Sequence, residues 1–252
     1  MKFKAEKLSD KGIYRKNNQD YTDFAKNSHG DFFGIVCDGM GGHSFGEIAS
    51  KISVDTFIEY FKESNFSGNT EEENFAWLSN GVKLIIKKMK AFAEAHPETL
   101  DMGTTLTCIL FTNEKGYVLN IGDSRTYKFS NDKIRQITVD QNLYNNTDPE
   151  KRDEINNTKS YGTRFNEMTY WKVLTSALGP SKTIKIDKTL LNNIKGTYFL
   201  TTDGIHDYID HDTIKDFLSD KGSMKSKCAN IISFAKGNMS TDNLTILMIE
   251  VQ

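Results

Sequence analysis

The chain has 252 residues, long enough for one large domain or two small ones, because a domain of this order buries about three quarters of its unfolded surface. Apolar residues make up 37% and aromatic residues 11%, gathered in periodic segments, which excludes a disordered chain. Its 32 basic and 34 acidic residues leave a formal charge of −2 spread along the sequence, so the footprint of a nucleic-acid binder is absent.

Short β-type runs open the sequence at residues 3–8, 21–25 and 32–37, separated by Gly and Asn turn formers. From Gly46 to Phe61 the period changes: Val54, Phe57, Ile58 and Phe61 share one helical face. A second helix is expected from about Glu71 to Ala95, with Phe75, Leu78, Val82, Ile85, Met89 and Phe92 along one seam and Pro97 ending it. Strand signals return at 104–111, 117–121, 125–129 and 134–137 as an antiparallel meander. Residues 141–170 are polar and without period, so they read as an irregular excursion, a flap-like insertion at about 141–172. Strands follow at 184–190, 197–202 and 244–251, with helices near 213–218 and 227–236. The pattern is α+β, with enough strands for two mainly antiparallel sheets stacked face to face. No repeat or linker divides the chain, so residues 1–252 are expected to form a single domain.

Cys37, Cys108 and Cys228 are odd in number and lack C-x-x-C spacing, which fits reduced core thiols in a reducing compartment. Met1 to Asp10 alternates charged with apolar residues and reads as neither signal peptide nor anchor. No segment approaches the ~20 apolar residues that span a bilayer. A soluble, cytoplasmic protein is the expectation.

The strongest local feature runs from Phe32 to Ser50, F-F-G-I-V-C-D-G-M-G-G-H-S-F-G-E-I-A-S: a buried strand, an acid, a glycine-rich turn and a helix. A carboxylate on a fixed strand end can hold a hard cation, and the glycines let a backbone carbonyl such as that of Gly39 enter the same shell. A dinucleotide loop is the competing reading. It fails because Ser44 occupies the third glycine position and Asp38 would repel a pyrophosphate. Asp203 in T-T-D-G-I-H-D, Asp242 in S-T-D-N-L-T and Asp123 in I-G-D-S-R repeat the theme of an acid beside a strand with Gly or Asn adjacent. Taken singly each is a turn former or cap; the repetition points to a metal centre. His29, His43, His96, His206 and His211 show no zinc-site spacing. An all-oxygen donor set implies Mg²⁺ or Mn²⁺, and two such ions lower the pKa of a bridging water. Arg15 stands five residues before Asp20, and its planar fork suits phosphate oxygens.

In order, the motifs are R-x-x-N-Q-D, D-G-M-G-G-H-x-x-G-E-x-A-S, M-G-T-T, G-D-S-R, L-T-S-A-L-G, T-D-G-I-x-D and D-N-L-T. From Arg15 to Thr245 the chain resembles the protein phosphatase 2C family of metal-dependent Ser/Thr phosphatases, in its bacterial form. The resemblance implies a β-sandwich flanked by helices on both sides, a four-layer α-β-β-α arrangement with the metals at one end. Asp38 matches the ligand bridging two metals, Gly39 lends its carbonyl, Asp203 and Asp242 match ligands of the other ion, and Asp20 matches the N-terminal acid. Asp123 with Asp203 matches the place of a weaker third metal, and Arg15 the phosphate-binding arginine. Thr104, Thr105, Ser124, Arg125 and Asn243 fit supporting roles.

The implied reaction is hydrolysis of phosphoserine or phosphothreonine in proteins by a hydroxide bridging the metals, opposing a Ser/Thr kinase, in a monomer. The human-type family has His where this chain has Met40, which leaves the proton donor to a metal-bound water, with His43 the second choice. Gln141 and Ser176 replace a His and an Arg of the family around the flap, where they bear on substrate contacts. A cysteine phosphatase is excluded, since the residues six beyond each Cys are His43, Glu114 and Phe234 rather than Arg. No P-loop motif occurs. The rival class is a non-catalytic pseudophosphatase that binds phosphoproteins; its mark would be the loss of metal acids, and none is lost.

Overall fold

In the computed structural model, which describes residues 1–40, 45–152, 155 and 170–252, the strands fall into two antiparallel sheets. One contains, in chain order, β1 (Phe3–Asp10), β7 (Arg125–Ser130), β8 (Lys133–Gln136), β10 (Gly196–Thr201) and β11 (Leu244–Val251), arranged β1-β11-β10-β7-β8. The other contains β2 (Asp20–Lys26), β3 (Phe32–Met40), β5 (Leu106–Thr112), β6 (Lys115–Ile121) and β9 (Asp187–Leu191) in that spatial order, with β4 (Gly103–Thr104) on the end of β3. Two hairpins turn on residue pairs at positive φ: Asn113 and Glu114 (48° and 60°), and Asn131 and Asp132 (50° and 59°). These tight turns match the twist of the strands they join.

Helices cover both outer faces. On the β3 side lie α1 (Phe45–Lys62) and α2 (Glu71–Ala95), the latter started by a reciprocal cap between Thr70 and Glu73. On the β11 side lie α5 (His211–Ser219) and α6 (Met224–Gly237), capped by Asp210 and Ser223. Two short turns, α3 (Leu143–Asn146) and α4 (Asp203–His206), come between α2 and α5 in the chain.

Three apolar clusters hold these layers together. Phe33, Phe57, Leu78 and Trp77 join α1 and α2 to their sheet. Phe32, Val36, Phe111, Tyr198, Leu247 and Ile249 fill the space between the sheets. Phe199, Ile214, Ile231 and Met248 join α5 and α6 to theirs. The result is the expected four-layer α-β-β-α sandwich. The three cysteines are buried and free.

Some boundaries differ from the sequence reading. β9 begins at Asp187, three residues late: Ile184 and Ile186 pack against the core but precede the pairing with β6, which starts at Asp187 opposite Asn120. α3 and α4 were not expected, because four residues carry no period. Half of the flap-like insertion, residues 153, 154 and 156–169, lies outside the described residues. Among the described residues no helix is long and apolar enough to cross a membrane.

Candidate metal centre

The antiparallel register brings the acids together. Asp20, the first residue of β2, stands directly opposite Asp38 near the end of β3. Asp123 follows Gly122 (φ 95°) in the turn before β7, Asp203 follows β10, and Asp242 precedes β11. All are at the same end of the sandwich, since Arg125 pairs with Thr201 and Thr201 with Ile246.

The backbone beneath Asp38 is pinned on both sides. Its N–H donates to Thr105 Oγ1 (3.0 Å), and its carbonyl accepts from Thr105 N (2.8 Å) and Thr104 Oγ1 (2.9 Å). Thr105 and Ser124 share a hydroxyl hydrogen bond of 2.6 Å. A Cβ on Gly39 would lie 2.2 Å from the Gly46 carbonyl oxygen, so the first turn of α1 approaches the strand end in a way only two glycines permit. Asn243 ties down the segment that carries Arg15: its side-chain oxygen accepts from Gln19 N (2.8 Å), and its amide donates to the carbonyls of Lys11 (2.8 Å) and Asn17 (3.0 Å).

The open face is a pocket of about 400 Å³. Arg15, Asp38, Gly39, Asp123, Asp203 and Asp242 line it, together with Met40 and Lys172. Arg15 Nη2 lies 2.5 Å from Asp242 Oδ2. Asp20 sits beneath, 4% exposed, with Oδ2 accepting from Thr202 Oγ1 at 2.8 Å. Asp20 Oδ1 and Asp203 Oδ1 are buried with no hydrogen-bond partner among the described residues. Burial, and then the neighbouring carboxylates, push Asp203 up to about 6, Asp123 up to about 8 and Asp38 well above the usual carboxylate range. Asp20 rises to about 7 for the same first reason, against the hydroxyls of Thr245 and Thr202 that hold it down.

Like charges crowded in a low dielectric are costly unless a cation balances them. Among the described residues no three acidic, His or Cys side chains already converge to the spacing of a metal cage. The donor chemistry nonetheless fits a hard divalent ion: every donor is oxygen, two carboxylate oxygens are orphaned, and their backbones are fixed.

Sequence reading missed Lys172 and Thr202. Lys172 lines the same pocket, and its Nζ lies 2.5 Å from Asp207 Oδ2; it sits at the edge of a polar run whose lack of period gave no signal. The Thr202 hydroxyl was hidden in a strand-end pair of threonines. Two expectations change. Gln141 is 1% exposed and bridges Gly122 N and Asp187 Oδ2 (2.8 Å each), and Ser176 is 3% exposed and accepts from Lys185 N (2.8 Å). Both replacements therefore brace loops from inside and do not line the pocket. Arg125 makes a bidentate pair with Asp140 (2.8 and 2.6 Å) beside an adjoining cleft of about 700 Å³ walled by Tyr144 and Trp171. His43 lies outside the described residues.

The sequence matches the family model described as Protein phosphatase 2C over residues 14–231. It is similar to the serine/threonine phosphatase stp of Listeria welshimeri, 28% identical over 98% of this chain and 95% of that one. Protein phosphatase PhpP of Streptococcus pneumoniae is 24% identical, covering 97% of this chain and 96% of that one. Among solved structures, serine/threonine phosphatase Stp1 from Staphylococcus aureus superposes with a TM-score of 0.83 at 26% identity, over 100% of this chain and 96% of that one. The catalytic domain of PstP in complex with two manganese ions superposes with a TM-score of 0.77 at 25% identity, over 98% and 97%.

Proposed function

The chain belongs to the protein phosphatase 2C family, and from that premise we propose that it hydrolyses phosphoserine and phosphothreonine in proteins with the help of divalent cations. The observation that carries this reading is the set of buried carboxylates at one sandwich end, two of their oxygens without a donor among the described residues, opening on a pocket that Arg15 shares. Asp38, the Gly39 carbonyl, Asp203, Asp242 and Asp20 would hold two ions, Mn²⁺ or Mg²⁺, and Asp123 with Asp203 a weaker third. When bound, such a pair lowers the pKa of water and offsets the charge of an approaching phosphate.

The remaining roles belong to the chain. Arg15 orients the phosphate, its fork offering parallel N–H donors while Asp242 holds one edge of it. Thr104, Thr105 and Ser124 keep the Asp38 backbone still, so alignment is not re-established at each turnover. Met40 has no ionisable proton, so protonation of the leaving oxygen falls to water in the pocket. The middle apolar cluster draws on residues from Phe32 to Val251, which supports one catalytic domain over residues 1–252. Opposition to a Ser/Thr kinase in the cytoplasm is the setting this reading implies.

The test is hydrolysis of a phosphothreonine peptide by the purified chain with Mn²⁺. Activity should vanish in EDTA and fall by ~10² to 10³ or more in Asp38→Ala. Equal activity in EDTA overturns the proposal.

A further inference from the structure

A second concentration of charge lies at the opposite end of the sandwich. β7 starts beside the carboxylates at Arg125 and ends remote from them at Ser130, where it turns into β8. There the β7–β8 hairpin and the segment after β9 border a cleft of about 800 Å³, lined by Lys128, Lys133 and Arg135 with Asn192, Asn193 and Leu191. Among the described residues no acidic side chain lines it.

The register makes this costly. Lys128 is paired directly with Arg135, and Ser130 with Lys133. Alternation puts all four on one face of the hairpin, with two cations directly opposite each other. Like charges in that arrangement destabilise a strand pair. Lys128 is buried, 7% exposed; its ammonium donates to the Asn193 carbonyl (2.5 Å) and stands 5.5 Å from the centre of the Tyr198 ring. Burial, and then the nearby Arg135, lower its pKa. The nearest acid in sequence, Asp132, is taken by Lys215 at 2.6 Å, and neither Lys133 nor Arg135 has an ion-pair partner among the described residues.

We propose that this cleft is a binding site for a phosphate-type oxyanion carried on a peptide, separate from the metal centre, with the anion supplying the counter-charge that Lys128, Lys133 and Arg135 lack. Arg135 presents a fork that matches two phosphate oxygens, Lys133 adds a point charge, and the asparagines add amide donors. The cleft is larger than one phosphate fills and is of the size that holds drug-sized ligands. Its space beyond the cations, floored by Leu191, suits the chain that carries the phosphate. In a phosphatase acting on proteins, such a site would hold a substrate by a second phosphorylated residue that is not being cleaved.

The test uses Asp38→Ala protein in EDTA, so that the peptide is not consumed. Calorimetry compares a phosphothreonine peptide, its unphosphorylated form and inorganic phosphate, in that background and with Arg135→Gln or Lys133→Gln added. The phosphopeptide should bind more tightly than the unphosphorylated form, and each added substitution should weaken it about tenfold or more, the loss expected for one charge-assisted pair. Without ligand, Arg135→Gln should melt at a higher temperature than its parent, because the cross-strand repulsion is relieved. Equal binding of inorganic phosphate and phosphopeptide would keep the site but make the free ion its ligand. Phosphopeptide affinity unchanged by both substitutions, or equal binding of the unphosphorylated peptide, overturns the proposal.

Discussion

Arg15 is placed by residues that are far away in sequence. Its ion pair with Asp242 depends on Asn243, whose amide holds the carbonyls of Lys11 and Asn17, so a loop without secondary structure still presents a guanidinium at a fixed point. This makes its geometry testable apart from its charge. Arg15→Lys keeps the charge and loses the fork, so kcat/KM on a phosphothreonine peptide should fall ~10- to 100-fold, whereas metal affinity measured by titration should change little. Lys172 offers a second test. If its ammonium serves the phosphate and Asp207 restrains it, Lys172→Met should raise KM and Asp207→Asn should lower it; a purely structural ion pair would move both variants in the same direction. Neither Lys172 nor Thr202 was legible in the sequence, because a lone Lys or Thr acquires a role only from what folds against it.

Periodicity is enough to find long elements. The seam of α2 is visible in the sequence and the helix occupies the expected residues, whereas its Thr70 and Glu73 cap was recognised only in the structure. Elements of four residues, α3 and α4, have no period to detect, and the start of β9 is decided by its pairing with β6. The close approach of Gly46 in α1 to Gly39 in β3 is the contact on which the site depends most. A Cβ on Gly46 would lie 2.6 Å from the carbonyl carbon of Gly39 and 2.7 Å from its oxygen. Backbone cannot yield as a flexible side chain does. Gly46→Ala is therefore expected to cost ~1 to 3 kcal/mol, seen as a drop in Tm, and to weaken Mn²⁺ binding by displacing the Gly39 carbonyl. A variant that melts and binds Mn²⁺ as the parent does would show that the contact is unimportant.

At the scale of the molecule, the carboxylate cluster links stability to pH. Asp20, Asp38, Asp123 and Asp203 keep their protons in the folded chain to a higher pH than in the unfolded one, where an Asp titrates near ~3.9. The folded state therefore binds more protons, and their contribution is fully present below about pH 4 and is lost as the pH rises through about 6 to 8. Without metal, Tm should fall between pH 5 and pH 8. Each unit of pKa shift corresponds to ~1.4 kcal/mol, and 1 kcal/mol moves Tm by about 2 to 4 °C in a chain of this size. Saturating Mn²⁺ should remove most of that fall, since the cation binds the charged carboxylates. A metal-free melting curve that is flat over this range would mean that the acids are already balanced within the protein.

The sequence by itself determined the α+β pattern with two stacked sheets, because strand and helix periods and turn residues are local properties, and its acids beside strands pointed to a metal centre. The motif order from Arg15 to Thr245 was likewise enough to name the family. Only the tertiary structure decided which groups share a pocket, that Gln141 and Ser176 face inward, and that Lys128 and Arg135 oppose each other far from the carboxylate cluster. The reason is physical. Register, burial and the field of neighbouring charges arise from contacts between segments remote in the chain, and no local pattern records them.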